Sequence, residues 1–197
     1  MRRRQVFSRI GNVAKTADVE PEFFFTGRAV ASNIFGGPPE NKGDVMKITS
    51  PAFTDGGTIP KQFTRDGADK SPALRIEDVP SGVKSLALIM DDPDAPSGTF
   101  THWMLFNMSP ATKEIREDAP PVMASQGRNN WGEIGYGGPK PPSGEHRYFF
   151  KLYALDGVLP LSRGATRAEL EEAMNGRVLD EAEFMGRYAS GQLVGAR

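Results

Sequence analysis

The chain has 197 residues, 38% of them hydrophobic, which is enough for one domain with a sizeable core and hardly enough for two. Its formal net charge of −1 argues against the basic surface of a dedicated nucleic-acid-binding protein. The lack of cysteine excludes disulfides and cysteine-based metal or redox sites. No apolar run approaches the roughly 18 residues of a transmembrane helix. The 22 glycines and 16 prolines favour a β protein with many turns.

Residues 1–44 are expected to form a disordered extension that ends in a linker. Arg2–Arg4 are followed by a polar stretch rather than by the apolar segment that an export signal requires, so we expect a cytoplasmic protein. The basic residues and the aromatic cluster Phe23–Phe25 leave a membrane-surface segment open as an alternative. Residues 36–44 (GGPPENKGD) have linker composition. The folded domain is therefore predicted to span 45–190, with a tail at 191–197.

Short apolar or alternating segments between turn-forming residues predict the strands of an antiparallel β-sandwich. The segments are 46–49, 71–76, 85–90, 102–108 and 148–155. Residues 85–90 are apolar almost without interruption, which is typical of a strand covered on both faces. The stretches between these segments contain turn signals and prolines, and we expect loops there with at most short strands.

One helix has a clear signal near the carboxyl end of the chain. Thr166 and Glu169 have the spacing of a capping box, and Leu170 and Met174 follow on one helical face. A second short helix is predicted at Asp180–Met185. The fold class is therefore predicted to be mainly β, an antiparallel sandwich with a C-terminal helix.

Two loops carry most of the polar chemistry, and the chain's two histidines stand where these loops meet a strand. The segment 91–96 (DDPDAP) has three carboxylates in four residues, which repel one another and need amides, a cation or a ligand's donors. Asp92, at the exit of a strand, is interpreted as the functional carboxylate. Asp94 is expected to pin the loop through side-chain-to-backbone bonds, as Asx turns do, and Asp91 to be a surface charge.

The histidines and the second loop complete a candidate anion site. His146 and Tyr148 alternate with Arg147 along a strand, so both should point to one face. Together with His102 they offer imidazole N–H and phenol O–H donors, and the backbone amides around Gly138 can receive a phosphate or carboxylate. Because imidazole gains charge near its ordinary pKa of ~6.5, the affinity for an anion should rise as the pH falls.

These segments resemble the two sequence signatures of the phosphatidylethanolamine-binding protein family. The matching stretches are 92–96 (DPDAP) followed by His102, and 138–148 (GPKPPSGEHRY). The short spacing between DPDAP and the histidine resembles the family's bacterial Raf-kinase-inhibitor-like branch. The resemblance covers about residues 46–188 and implies a β-sandwich with an anion pocket that binds phosphate-bearing head groups. Phe100 stands where eukaryotic members have tryptophan.

The resemblance assigns a role to each matching residue. The positions of the family's ligand-binding residues are taken here by Asp92, His102, Gly138, His146 and Tyr148. The residues expected to shape the loops are Asp94, Pro96, Pro141 and Pro142. The resemblance further implies a small phosphorylated or anionic ligand, a regulatory role towards a partner kinase or protease, and pairing into a homodimer. We expect no enzyme activity, no cofactor, no metal and no nucleic-acid partner.

Two other functions stay open. His102, His146 and Asp92 form a two-histidine-one-carboxylate set that could serve a metal-assisted hydrolase, although the sequence has neither HExxH spacing nor a GxSxG nucleophile elbow. Alternatively, the histidines only join the loops to the sheet, and the domain is a structural interaction module.

Overall fold

The computed structural model describes residues 45–191 as two β-sheets and one short helix. The extension and linker expected at 1–44, and all of the tail expected at 191–197 except Gly191, lie outside the described residues. No helix within 45–191 has the length and apolar character that crossing a membrane requires.

The two sheets are built from short strands separated by turns. The strands are β1 (Lys47–Thr49), β2 (Gly57–Thr58), β3 (Leu74–Glu77), β4 (Ser85–Asp92), β5 (Phe100–Met108), β6 (Glu114–Ile115), β7 (Ser125–Gln126), β8 (Glu145–Leu155) and β9 (Val178–Ala189). The small sheet has the order β1-β3-β6 and the large sheet the order β2-β9-β8-β4-β5-β7. Neighbouring strands pair antiparallel, except that β2 runs parallel to β9. The predicted mainly β sandwich is confirmed.

Strand β4 lies inside the large sheet and is covered on both faces, as its apolar sequence predicts. All eight of its residues are buried. Leu86 and Leu88 pack in the main core with residues of the small sheet, whereas Ala87 and Ile89 pack in a second core with helix α1 (Arg167–Met174). Burying one leucine side chain contributes roughly 1.5–3 kcal/mol, so the two cores together hold β4 firmly in place.

Helix α1 begins with the capping box that the sequence predicts. The Glu169 carboxylate accepts a hydrogen bond from the Thr166 amide at 2.7 Å, and the Thr166 hydroxyl accepts one from the Glu169 amide at 3.4 Å. Leu170 and Met174 are buried against the large sheet. The last element described is not this helix but β9, which follows it.

The prediction of a second helix at Asp180–Met185 is wrong, because these residues lie within β9. Strand β9 pairs with β8 along nearly its whole length, from Val178 opposite Leu155 to Ala189 opposite Glu145. This backbone pairing overrides the helix preference of the acidic and alanine residues in the segment DEAEFM.

Candidate functional site

A β-bulge in β5 distinguishes His102 from its neighbours. Met90 pairs with Trp103 and Asp91 pairs with Thr101, so His102 is an extra residue on β5 with no counterpart on β4. Bulges redirect side chains and are common beside functional sites. The His102 side chain lines a cavity of about 190 Å³ at the end of the large sheet.

The cavity lies between the two loops that the sequence singles out. The first loop lines it with Asp92 and Pro96, and the second with Lys140, Pro141 and Pro142. Both histidines also line it. A larger groove of about 630 Å³ lies between β1 and β9, but neither histidine borders it.

Asp92 and His146 form a buried pair in the cavity wall. His146 Nδ1 lies 2.7 Å from Asp92 Oδ2, and the two side chains are 9% and 5% exposed. Because a carboxylate accepts hydrogen bonds, Nδ1 carries the hydrogen and Nε2 is the ring nitrogen left for a ligand. Asp92 Oδ1 accepts from the Asp94 amide at 2.9 Å. The Asx-type bond that the sequence assigned to Asp94 is therefore made by Asp92.

His102 is held by the second loop. Its Nδ1 donates to the Gly137 carbonyl oxygen at 2.7 Å, which fixes the tautomer because a carbonyl can only accept. Burial lowers the pKa of His102 to about 4, although the Gly137 bond and the Asp92 charge act in the opposite direction. The ring therefore stays neutral until the pH falls to about 4, so the gain of charge expected near pH 6.5 does not occur at His102, and its Nε2 carries a lone pair.

Tyr148 lies behind the cavity rather than in its lining. Its ring packs edge-on against His102, with ring centroids 5.2 Å apart. Its hydroxyl is buried and has no hydrogen-bond partner among the residues that the structure describes. Burial and the nearby Asp92 charge raise the pKa of the phenol. The Tyr148 phenol therefore keeps its proton at neutral pH, and Asp92 lies close enough to interact with its O–H.

Gly138 also lies outside the cavity lining, and its amide is already used. It donates to Asp69 Oδ1 at 2.7 Å, while the Gly137 amide donates to the His102 carbonyl oxygen at 3.0 Å. Neither amide is free for an anion, contrary to expectation. A Cβ at Gly138 would lie 2.5 Å from the Phe63 carbonyl oxygen, so glycine is needed here for close backbone packing.

Arg147 joins the two loops through Asp94. Asp94 Oδ2 accepts from the Arg147 amide at 3.0 Å and from Nε at 2.9 Å, and Oδ1 accepts from Nη2 at 2.7 Å. These bonds give Asp94 its expected role in shaping the loops, but the partner is Arg147 at the start of β8, directly after the second loop. The Arg147 guanidinium lowers the pKa of Asp94 from 3.8 to about 2.

The Asp94 carboxyl should therefore titrate near pH 2 in the folded protein. A pKa lowered by folding means that ionised Asp94 stabilises the fold above pH 3.8, and that this stabilisation is lost as the pH falls towards 2. The NMR shift of the carboxyl carbon measures the titration. Replacing Arg147 by glutamine should raise this pKa only part of the way to its ordinary value, because the amide of residue 147 still donates to Asp94. A pKa that stays near 2 in this variant would contradict the assigned cause.

The prediction that Asp91 is a surface charge is wrong. Its side chain is fully buried, on the face of β4 opposite to that of Asp92. It pairs with the Arg167 guanidinium and accepts from the Thr101 hydroxyl at 3.3 Å. Lys151 Nζ lies 3.6 Å from its other oxygen. Because neighbouring residues in a strand point to opposite faces, Asp91 faces α1 while Asp92 faces the cavity.

The sequence analysis missed three residues in or behind the cavity wall. The centroid of the Trp131 ring lies 4.4 Å from that of Phe100 and 4.8 Å from that of His102. The Arg65 guanidinium stacks over the Trp131 ring, 4.0 Å from its centroid. Lys140 brings a positive charge to the cavity. Lys140 lies inside the second signature, 138–148, so its charge could have been recognised from the sequence as part of an anion site. Trp131 and Arg65 lie in loops with no local pattern that indicates the site.

The metal-assisted alternative gains no support from this geometry. Across residues 45–191, no group of three or more His, Asp or Glu side chains is arranged to hold a metal ion.

Comparison with known proteins decides the family. A family model described as phosphatidylethanolamine-binding protein matches residues 49–189 of this chain. The chain belongs to the phosphatidylethanolamine-binding protein family. The resemblance carried by the two signatures is thereby confirmed, over nearly the range that they implied.

Individual relatives agree with this membership. The chain is 50% identical over 151 residues to a UPF0098 protein of Methanothermobacter thermautotrophicus, covering 74% of this chain and 100% of the relative. A solved phosphatidylethanolamine-binding protein homolog, CT736 of Chlamydia trachomatis, has a TM-score of 0.71 and 44% identity, covering 74% of this chain and 98% of that one. Escherichia coli YbcL, described as a member of the mammalian family, has a TM-score of 0.69 and 29% identity, covering 73% and 98%. These neighbours confirm the expected branch of the family.

Proposed function

We propose that this protein binds a small phosphate-bearing ligand in the cavity between its two signature loops. One observation carries the proposal: Asp92, His102, His146 and Lys140, from distant parts of the chain, line the same cavity of about 190 Å³. Binding residues commonly stand on loops that a rigid scaffold positions, as these do.

The size of the cavity supports a head group rather than a larger molecule. One water takes about 30 Å³ of liquid volume, so the cavity has room for about six water-sized groups. A phosphate with a short substituent fits this volume, whereas most drug-sized ligands need pockets of roughly 300 Å³ or more. A longer lipid or ester chain would extend out of the mouth.

The polar groups support an anion. The Lys140 ammonium supplies the attracting charge, and the Tyr148 ring, which packs against His102 behind the cavity, carries a hydroxyl that can donate. Asp92 is negative, but its oxygens are turned towards the His146 ring and the Asp94 amide, which offsets part of its repulsion. The family takes its name from a phospholipid whose head group carries such a phosphate.

Titration with inorganic phosphate tests the proposal. Millimolar phosphate should shift the imidazole NMR signals of His102 and His146 along one saturable curve, because both rings face one ligand. Replacing Lys140 by methionine should weaken binding through loss of the attracting charge. The matched control is Lys113 to methionine, an exposed lysine that does not line the cavity. Phosphate that shifts neither ring would refute the proposal.

We further propose that the protein acts in the cytoplasm as a non-catalytic regulator of a partner kinase or protease. Support for the regulatory role comes from the family relationship alone. Purified protein should slow one member of a kinase and protease panel, and inorganic phosphate should relieve the inhibition. Inhibition that phosphate leaves unchanged would separate regulation from the cavity.

A further inference from the structure

Strand β9 has an edge that is covered over only part of its length. Strand β8 pairs with one side of β9 along nearly its whole length, whereas the two-residue strand β2 pairs with the other side only at Gly186 and Arg187. No strand within 45–191 pairs with this second side at residues 179–184. An unpaired edge presents backbone N–H and C=O groups to which another extended chain can add.

The backbone groups of Glu181 and Glu183 point away from β8, towards this open side. Those of Met185 point there, because its amide donates to Asp55 and its carbonyl oxygen accepts from the Gly56 amide, both at 2.9 Å. Every second residue of a strand directs its backbone groups to the same side, so residues 183 and 181 follow residue 185. The amide of residue 181 is used by a neighbouring side chain. The Glu183 amide is therefore the donor at the centre of the edge.

The inner face of this edge borders an apolar groove. Ala182 and Phe184 belong to this face, since both pack with the main core, and they line the groove of about 630 Å³ between β1 and β9. Ile48 and Phe53 line the same groove. Because Ala182 is small, the groove has room for apolar side chains of an added strand.

The outer face of the same edge is acidic. Glu183 is exposed and lies opposite Lys151 of β8, and the exposed Glu181 lies opposite Tyr153. These four residues line a second cavity, of about 430 Å³. The Lys151 ammonium lies 3.6 Å from the buried carboxylate of Asp91. Within residues 45–191, no lysine or arginine forms an ion pair with either glutamate.

We propose that this edge of β9 binds an extended segment of a partner protein in which basic residues alternate with apolar ones. Side chains of a strand alternate between faces, so the apolar residues enter the groove and the basic residues lie beside Glu181 and Glu183. Residues 179–184 span about 20 Å and can pair with about six residues of such a segment. The phosphate cavity lies elsewhere, so the inference does not depend on the proposed phosphate binding.

The charge and the pattern favour a partner over another part of this chain. A second copy would bring the same acidic edge to β9, and like charges directly opposite each other destabilise a pair of strands. Nowhere in the 197 residues is an apolar residue flanked on both sides by lysine or arginine. The chain therefore does not itself supply the alternating segment.

Binding of designed peptides to the full-length protein tests the proposal. The probe is a ten-residue peptide in which lysine alternates with valine, and its charge control alternates glutamate with valine. Two further peptides carry N-methyl groups on the lysine amides or on the valine amides of the probe. Only one of these two sets of amides can face β9, so exactly one of the methylated peptides should lose binding.

We expect the lysine peptide to bind about tenfold or more tightly than the glutamate peptide and to slow hydrogen exchange of the Glu183 amide, measured by NMR. Equal binding of the two peptides, or unchanged exchange at Glu183, overturns the proposal. Protection of this amide in the free protein also overturns it. Protection that dilution removes would assign the edge to a second copy, and protection that survives dilution would assign it to this chain itself.

Variants at one position separate the backbone edge from its charge. Glu183→Pro removes the outward amide and leaves the pairing with β8, because edge strands tolerate proline where the N–H faces outwards. It should abolish binding of the lysine peptide, whereas Glu183→Gln should weaken it about threefold. The matched control is Glu117→Gln, at an exposed glutamate that lines neither cavity. Full binding by Glu183→Pro would overturn the edge pairing, and the peptide series decides the proposal even if this variant does not fold.

Discussion

Replacing Gly138 by alanine should lower the free energy of unfolding by about 3 kcal/mol, at the upper end of the usual cost of overpacking. The new Cβ would lie 2.5 Å from the Phe63 carbonyl oxygen and 2.9 Å from Thr64 Cα, so the backbone must move. That movement would also break the bond from the Gly138 amide to Asp69, which is 2.7 Å long. Urea denaturation measures the loss of stability, and the His102 NMR signal reports displacement of the loop.

Gly144→Ala is the matched control for this steric effect. Gly144 lies in the same loop with φ 70° and has no atom within 4 Å of an added Cβ. Alanine there is strained only in its backbone, at a cost of about 1 kcal/mol. If Gly138→Ala were no more destabilising than Gly144→Ala, close packing against the 63–69 segment would not be the reason for glycine at position 138.

Replacing Arg167 by methionine should cost up to about 3 kcal/mol, because it leaves the buried carboxylate of Asp91 with only the more distant Lys151 ammonium, 3.6 Å away. The Asp91 side chain is only 1% exposed, whereas that of Arg167 is 28% exposed. Removing the charge of Asp91 should therefore cost less, since water can reach the remaining guanidinium. Urea denaturation of Arg167→Met and Asp91→Asn measures this difference.

The double variant Asp91→Leu with Arg167→Met tests the cause. Replacing both members of a buried ion pair by apolar residues is often nearly neutral, so much of the stability should return. If the double variant were as unstable as Arg167→Met alone, the loss would come from the other contacts of Arg167, its stem packing and its ion pair with Glu171, and not from the poorly compensated charge of Asp91.

The sequence predicts the parts of this fold that depend on local pattern. The unbroken apolar run of β4 predicts a strand covered on both faces, and the Thr166–Glu169 spacing predicts the start of α1. Strand β9 could not be predicted in this way, because its residues favour a helix and only the long partner β8 makes them extended. Pairing with a distant strand has no trace in a short window of sequence.

In the candidate site too, local sequence predicts some residues, whereas the roles of others depend on distant contacts. Asp92, His102 and His146 were predicted from their loops, and the structure brings all three to one cavity together with the expected prolines. The buried state of Asp91 depends on Arg167, and the packing of Gly138 depends on Phe63 and Asp69. These contacts join segments far apart in the chain, and neither partner indicates the other by its type or spacing.

The two adjacent aspartates at the end of β4 have a consequence for folding itself. A shift of β4 by one residue against its neighbours would exchange the faces of its side chains. In one direction Met90 would then face Arg167, and in the other Pro93 would face His146. Either shift leaves a basic side chain without its carboxylate. The two aspartates therefore disfavour a sheet in which β4 is out of register by one residue.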